Sequence, residues 1–279
     1  KARRATLLED LMEYFCWCLA NSSTEKAQKT RSYLKRERGF TQEQIEKLRF
    51  GFVPLWRSVV TFMTTKKKYL KEELDEACGV YSVDGKTAVG KTHTLAIPYI
   101  CAGVLKGFLF RRVDSDDKPK YLANFALDRR SVFFNYPEQG SSVIAVVEGE
   151  MDALTATAAG IPGVVAIGGS EIAGERRHQV EVALASGTRS IILCPDLDST
   201  TAEDDTVVPD HAKRLKAVMH SVHTIKDIDM EFDSIYVTVF DEPTDPDEFI
   251  RKRGGDAFIK LLRDALPWWE YVYQVKSKR

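Results

Sequence analysis

Three acidic stretches in the C-terminal half have the composition of a cation site. Glu148-Gly149-x-x-Asp152 follows the apolar run 143–147, Asp196-x-Asp198 follows the run 190–194, and Asp245-Pro-Asp247 follows the run 235–239. A carboxylate at the end of a strand built to be buried resists that burial, and neighbouring carboxylates repel. In an extended segment the first and third residues point to the same side, so Asp196 and Asp198 share a direction. Six such groups gathered together need something positive among them. Hard divalent cations with oxygen ligands meet that need, and Mg²⁺ combines one or two carboxylates with waters and phosphate oxygens. A metal ion carrying a phosphate near Glu148 and Asp152 is the chemistry these residues point to. Each stretch also has a plainer reading. Asp152 suits the first turn of a helix for its dipole alone. Asp196 and Asp198 suit a turn, and "TDPDEF" suits a helix N-cap.

The elements that must position these acids can be read from periodicity. The back half alternates strands 143–147, 163–167, 190–194 and 235–239 with helices 151–159, 174–186, 209–221 and one near 256–265. Such alternation implies a mostly parallel sheet with helices on both faces. Ligands then bind beyond the carboxyl ends of the strands, where all three acidic stretches fall. The front half is less regular. Apolar spacing predicts a helix over 5–20, and "AQKTRSYLKRERGF" a second, closed by Gly39. Thr41-x-x-Gln44 has the form of a capping box opening a third. A charged helix should end at Gly79. Residues 95–112 read as two strands around a turn at Ala102-Gly103, followed by a polar loop and a short extended piece.

Composition supports a division of labour. The 279 residues are 44% hydrophobic, enough for a sizeable core and two domains. The net charge of −1 hides an asymmetry. Residues 1–140 hold 25 Lys+Arg against 17 Asp+Glu, and residues 141–279 hold 15 against 24. A basic front suits a polyanion, and an acidic back suits cations. The five cysteines form no C-x-x-C pair, which supports neither a disulfide framework nor a zinc site and fits a reducing compartment. No apolar run approaches membrane-spanning length, and no signal peptide is recognisable. The chain starts at Lys1 inside a basic stretch and reads as a piece of something longer.

E-G-x-x-D after one strand and D-x-D after a later one resemble the Toprim domain of primases, topoisomerases and related nucleases. The D-P-D loop and "FIRKRGGDAF" narrow the resemblance to DnaG-type bacterial and phage primases. "RSYLKRERGFTQEQIEKLRFGFVP" is similar to the helical opening of that family's RNA polymerase domain, and "LAIPYICAGVLKGFLFRRVDSDDKPKYLAN" to its strand pair and basic loop. The resemblance runs from about Leu7 to Leu262. It implies an α/β fold: a mixed α/β N-terminal basic subdomain over 1–140, a Rossmann-like, mostly parallel Toprim domain over 141–242, and a short or truncated C-terminal helical segment over 243–279.

By the same resemblance, Glu148, Asp196 and Asp198 would be catalytic and hold Mg²⁺ or Mn²⁺, with Asp152, Asp245 and Asp247 as supporting acids at the metal. Lys35, Arg38, Arg111, Lys120, Tyr121 and Arg129 would bind nucleotide or template. For Lys35 and Arg38 a solvated helix face is an equal reading. The implied partners are a single-stranded DNA template, ribonucleoside triphosphates and a replicative helicase, with no membrane, in the cytoplasm of a bacterial or phage-infected cell. The implied activity is synthesis of short RNA primers by metal-dependent nucleotidyl transfer. A Toprim nuclease would use the same acids, and a non-catalytic DNA- or helicase-binding module would share the fold. One departure stands out: where the family follows D-x-D with Ala-Gly, this chain has Ser199-Thr200-Thr201-Ala202 and then the acidic "EDDTVVPD".

Overall fold

The computed structural model describes residues 2–78, 82–83, 86–124, 126–201, 206–228 and 234–277. The expected helix end at Gly79, and Ala202 with the acids that follow it, lie outside the described residues. The chain divides into two compact units, one of residues 1–100 and 104–128, the other of residues 101–103 and 129–279. Among the described residues no helix is long and apolar enough to cross a membrane.

The first unit opens with α1 (Ala2–Asn21), α2 (Glu25–Ser32) and α3 (Gln42–Lys47). A π-helical turn, Tyr33–Glu37, continues α2, and Gly39 turns out of it with φ +74°. The capping box at Thr41 and Gln44 is present in both directions. Next come β1 (Gly51–Phe52), α4 (Trp56–Thr65), α5 (Lys71–Cys78), β2 (Ser82–Val83) and β3 (Lys86–Thr87). Helix α4 is invisible to the sequence reading because "WRSVVTFMTT" is rich in β-branched residues, which lower helix propensity. It forms because Val59 and Met63, one turn apart, are wholly buried with α1 in the core of this unit. The expected strand pair is β4 (His93–Cys101) and β5 (Val104–Arg112). Its turn has φ +50° at Ala102 and +71° at Gly103, the signs a tight right-twisting hairpin requires. With β6 (Tyr121–Ala123) the sheet order is β1-β4-β5-β6.

The second unit contains β7 (Val143–Val147), α6 (Glu150–Ala158), β8 (Val164–Ala166), α7 (Arg177–Ala185) and β9 (Ser190–Cys194). Then follow β10 (Ser199–Thr201), β11 (Val207–Pro209), α8 (His211–Lys226), β12 (Ile235–Val237), α9 (Pro246–Arg253), α10 (Gly255–Arg263), β13 (Leu266–Pro267) and α11 (Trp268–Ser277). The main sheet has the order β13-β12-β9-β7-β8 and is parallel except for β13. The expected α/β class with a mostly parallel sheet therefore holds. Ile144, Val146, Ile191 and Leu193 share a core with α7, α8 and Tyr271 of α11. The alternate residues Ala145 and Val147 point to the other face, where α6 packs on β7 and β8.

Three local features go beyond the sequence reading. The helix expected near 256–265 is α10, and a further helix, α9, precedes it in the stretch read as a loop, because Asp245 caps it, Pro246 starts it and Gly254 with φ +86° separates it from α10. The turn after β9 carries the β10–β11 hairpin. Helix α8 runs to Lys226, past the expected end at 221, since Val222 and Ile225 extend its buried stripe.

Candidate active site

Parallel pairing of β7, β9 and β12 sets their carboxyl ends at one edge of the sheet. Glu148 leaves β7 there and Asp196 leaves β9. The loop carrying Asp245 is stapled to the Asp196-x-Asp198 segment by a reciprocal backbone pair. Leu197 N donates to Thr244 O at 3.0 Å, and Thr244 N to Leu197 O at 2.9 Å. The Asp196 N–H also donates to the Glu148 carboxylate, Oε1, at 3.2 Å, which ties the first two strand ends. The acids from three separate strands are thus gathered by main-chain hydrogen bonds between loops and by one main-chain donor to an acid side chain.

Their protonation behaviour reflects the crowding. Burial, then the carboxylates of Glu148, Asp245 and Asp198, push Asp196 up to about 8, against the opposing charge of Arg214. Glu148 is pushed up to about 7, chiefly by burial, with Asp198 and Asp152 adding to it and the Asp196 N–H opposing. Asp152 is raised well above the ordinary carboxylate range by burial and by Asp196, Asp245 and Asp247. Asp198 is exposed and pairs with Lys213 at 2.5 Å.

The supporting acids do structural work as well. Asp152 Oδ2 accepts the Gly149 N–H at 3.0 Å, and Oδ1 accepts the Asp247 N–H at 3.3 Å. Asp152 therefore joins the start of α6 to the start of α9. Asp245 caps α9, accepting from Glu248 N at 2.6 Å. Asp247, 1% exposed, accepts from Thr155 Oγ1 at 2.6 Å and from Arg251 Nε at 3.1 Å. The plainer cap and first-turn readings of these residues thus describe real hydrogen bonds, and they coexist with the gathering of the acids.

Among the described residues no three His, Cys, Asp or Glu side chains form a ready metal-ligating group. The donor set nonetheless fits a hard divalent cation. All the converging side chains are carboxylates, and Asp196 Oδ1 is buried without any hydrogen-bond partner. A buried acceptor left unmet is costly, and a cation beside it would meet it and offset the repulsion that raises Glu148 and Asp196.

The residues assigned to nucleotide or template fall in different settings. Tyr33, Arg38, Arg111, Arg112 and Lys120 line a polar cavity of about 350 Å³ in the first unit. The Arg111 guanidinium lies over the rings of Tyr33 and Tyr121, 5.2 and 4.8 Å from their centroids, and donates to the Tyr121 hydroxyl. Its buried Nε has no acceptor. Arg38 lies over the Tyr33 ring and donates to its hydroxyl at 2.6 Å. Lys120 pairs with Asp116 at 3.1 Å, and Lys35 is exposed on the π-helical turn. Arg129 is placed elsewhere. It pairs in the second unit with Glu150, which is 3% exposed, and its guanidinium passes so close to Gly168 (φ +66°) that a Cβ there would sit 2.8 Å from it.

Sequence reasoning missed Glu150, Arg214, Lys213 and Arg251. Arg251 had a signal, the i,i+4 spacing from Asp247. Arg214 had one too, a charge within the apolar stripe of α8. It is 3% exposed and donates to Pro195 O and Thr238 Oγ1. Lys213 had none, since its approach to Asp198 depends on the β10–β11 register.

Comparison with known proteins agrees with this architecture. Residues 145–250 match the Toprim-like family. The chain superposes on the RNA polymerase domain of Mycobacterium tuberculosis primase DnaG with a TM-score of 0.76 at 20% identity, covering 98% of this chain and 87% of that one. The fold is that of the DnaG catalytic core. A DnaG primase catalytic domain bound to ssDNA is also similar, with a TM-score of 0.70 at 20% identity over 98% of this chain and 86% of that one. In sequence, the DNA primase of Listeria innocua is 25% identical over 88% of this chain and 38% of its own length. The chain thus spans about two fifths of the curated primases it matches. The DnaG-type resemblance read from the motifs holds over most of the chain.

Proposed function

We propose that this chain is the catalytic core of a DNA primase, joining ribonucleotides on a single-stranded DNA template. The observation that carries the reading is the set of acids at one sheet edge with the Asp196 Oδ1 acceptor unmet. Glu148, Asp196 and Asp198 would hold Mg²⁺ or Mn²⁺, with Asp152, Asp245 and Asp247 in support. Bound there, the metal would supply Lewis-acid charge to phosphate oxygens and to an attacking hydroxyl. The chain's own residues do the rest. The Asp196 N–H holds the Glu148 carboxylate, Asp152 joins the two helix starts behind them through the Asp247 N–H, and Arg214 holds the Pro195 carbonyl.

In the first unit, Arg38, Arg111, Lys120 and Tyr121 would take the phosphates of template or nucleotide, with Lys35 at the rim. Planar guanidinium groups steered by tyrosine rings suit that task. In the second unit, Arg129, held on Glu150 beside Gly168, would take a nucleotide or template phosphate. The functional division we propose is a template-gripping part over 1–140, a catalytic part over 141–242 and a helical segment over 243–279. The partners would be ribonucleoside triphosphates, single-stranded DNA such as that bound by the solved catalytic domain, and a replicative helicase, in the cytoplasm.

The test labels the γ-phosphate of the ribonucleotides. A primase joins two free nucleotides, so its first product keeps the initiating triphosphate. Label retained in short oligomers on a single-stranded template, and lost with Glu148→Gln, is the expected result. Cutting of the DNA with the ribonucleotides unused would establish a nuclease instead.

A further inference from the structure

The acid cluster carries an ammonium group of its own. Lys213 Nζ lies 2.5 Å from Asp198 Oδ2, and Asp198, Glu148 and Asp210 are the carboxylates that act on it. The pair is closed by the segment in which this chain departs from the pattern it resembles. In the β10–β11 hairpin Ser199 pairs with Pro209, so the chain returns to where it left Asp198. Asp210 N then donates to Asp198 O at 2.8 Å, and Asp210 caps α8 by accepting from Lys213 N at 2.9 Å. The cap fixes the third residue of the helix over the carboxylate fifteen positions earlier.

The two ends of the cluster are treated differently. Lys213 serves the exposed Asp198, whereas the buried Asp196 Oδ1 has no partner. A lysine on a flexible stem, with side chains 63% and 50% exposed on the two sides of the pair, can leave readily. A bound cation needs the same Asp198 oxygens.

We propose that Lys213 is the resident counter-ion of this cluster, holding Asp198 while no divalent cation is bound and competing with that cation for the same carboxylate, so that it sets the metal affinity of the site. The inference rests on the metal reading of the acids given above. Exposed ion pairs are weak, so the effect is a tuning one. Lys213→Gln should bind Mn²⁺ about two- to fivefold more tightly than the parent. Lys213→Arg, which keeps the charge, should stay within about twofold of the parent. In an Asp198→Asn background, where the paired carboxylate is gone and only the weaker pulls of Glu148 and Asp210 still act on Lys213, the gain from Lys213→Gln should be clearly smaller than in the parent. The gain should also shrink as ionic strength rises.

The experiment titrates Mn²⁺ into the purified chain without template or nucleotide. The free ion is followed by electron paramagnetic resonance, and melting curves in chelator check that each variant is folded. Unchanged or weaker binding in Lys213→Gln overturns the role of Lys213 alone. Absence of Mn²⁺ binding by the parent would overturn the metal reading together with it. Primer synthesis does not enter the measurement, so failure of the primase reading is detected separately by the γ-phosphate assay.

Discussion

In the acid cluster, charges of one sign are packed against each other, and Asp196 Oδ1 is buried without a partner. In the basic cavity Arg111 is also buried and its Nε likewise has no acceptor, yet its charge lies over two tyrosine rings, and Glu37, Asp114 and Asp116 share the cavity wall with the cations. The first region keeps repulsion that Lys213 and Arg214 offset only in part and that an added cation would relieve further. The second has already neutralised part of its charge with π faces and carboxylates, so it is organised before any ligand arrives. The difference teaches which kind of partner each awaits. A compact, highly charged ion can offset several carboxylates at once, whereas a flexible polyanion needs donors held at fixed directions.

The comparison breaks most visibly at Asp196. Asp196→Asn keeps the shape and removes one of the opposed charges. Primer synthesis should fall by on the order of 10²-fold or more, because a divalent cation there would lose one of its carboxylate ligands. Retention of the parent rate would end the catalytic reading of the cluster.

The same variant should be more stable than the parent in chelator, and pH gives the sign. Asp196 and Glu148 release their protons near 8 and 7 in the folded chain, and near the ordinary carboxylate value when unfolded. Between about pH 4 and 8 the folded state therefore holds more protons, and stability falls as pH rises. The metal-free parent should melt lower at pH 8 than at pH 6. Asp196→Asn should show a flatter profile and an advantage at pH 8 of roughly 3–8 °C. Melting curves in chelator across this range check it, and a difference independent of pH would contradict the stored repulsion.

How much of this was legible before the structure depends on the physics of each element. The parallel strands were, because short apolar runs alternate with helical patterns along this half of the chain. The convergence of Glu148, Asp196 and Asp245 followed from strand direction alone. The hairpin turn at Ala102-Gly103 was legible from composition. Helix α4 was not, since its stability comes from burying Val59 and Met63 rather than from propensity. Nor was the pairing of Arg129 with Glu150, or of Lys213 with Asp198. Those depend on the register of short segments, which sequence patterning does not fix. Asp152 and Asp247 show the same limit from the other side: their positions were legible, but not the hydrogen bonds that make them bolts between α6 and α9.

The basic cavity gives smaller effects. Arg111→Lys keeps the charge and loses the planar contact with Tyr33 and Tyr121. It should cost about 1–2 kcal/mol of stability by denaturant unfolding and weaken single-strand binding. Unaltered stability would show that the rings do not hold the guanidinium.

Lys120 should give the smallest effect and the cleanest reading. Its ion pair with Asp116 is exposed, 47% on one side and 98% on the other, so it contributes little to the fold. Lys120→Ala should stay within about 0.5 kcal/mol of the parent in stability. If Lys120 neutralises one phosphate, its loss removes one released counterion, and the log–log salt slope of single-strand binding should become shallower by about 0.7. The affinity loss should then be largest at low salt and vanish at high salt. Asp116→Asn should act in the opposite direction, strengthening binding at low salt by freeing the ammonium. Fluorescence anisotropy with a labelled oligonucleotide over a salt series measures both. A loss for Lys120→Ala that is equal at every salt concentration would mean that the side chain packs against the strand rather than neutralising it, and the contrast between a pre-organised basic cavity and a charge-starved acid cluster would then rest on Arg111 alone.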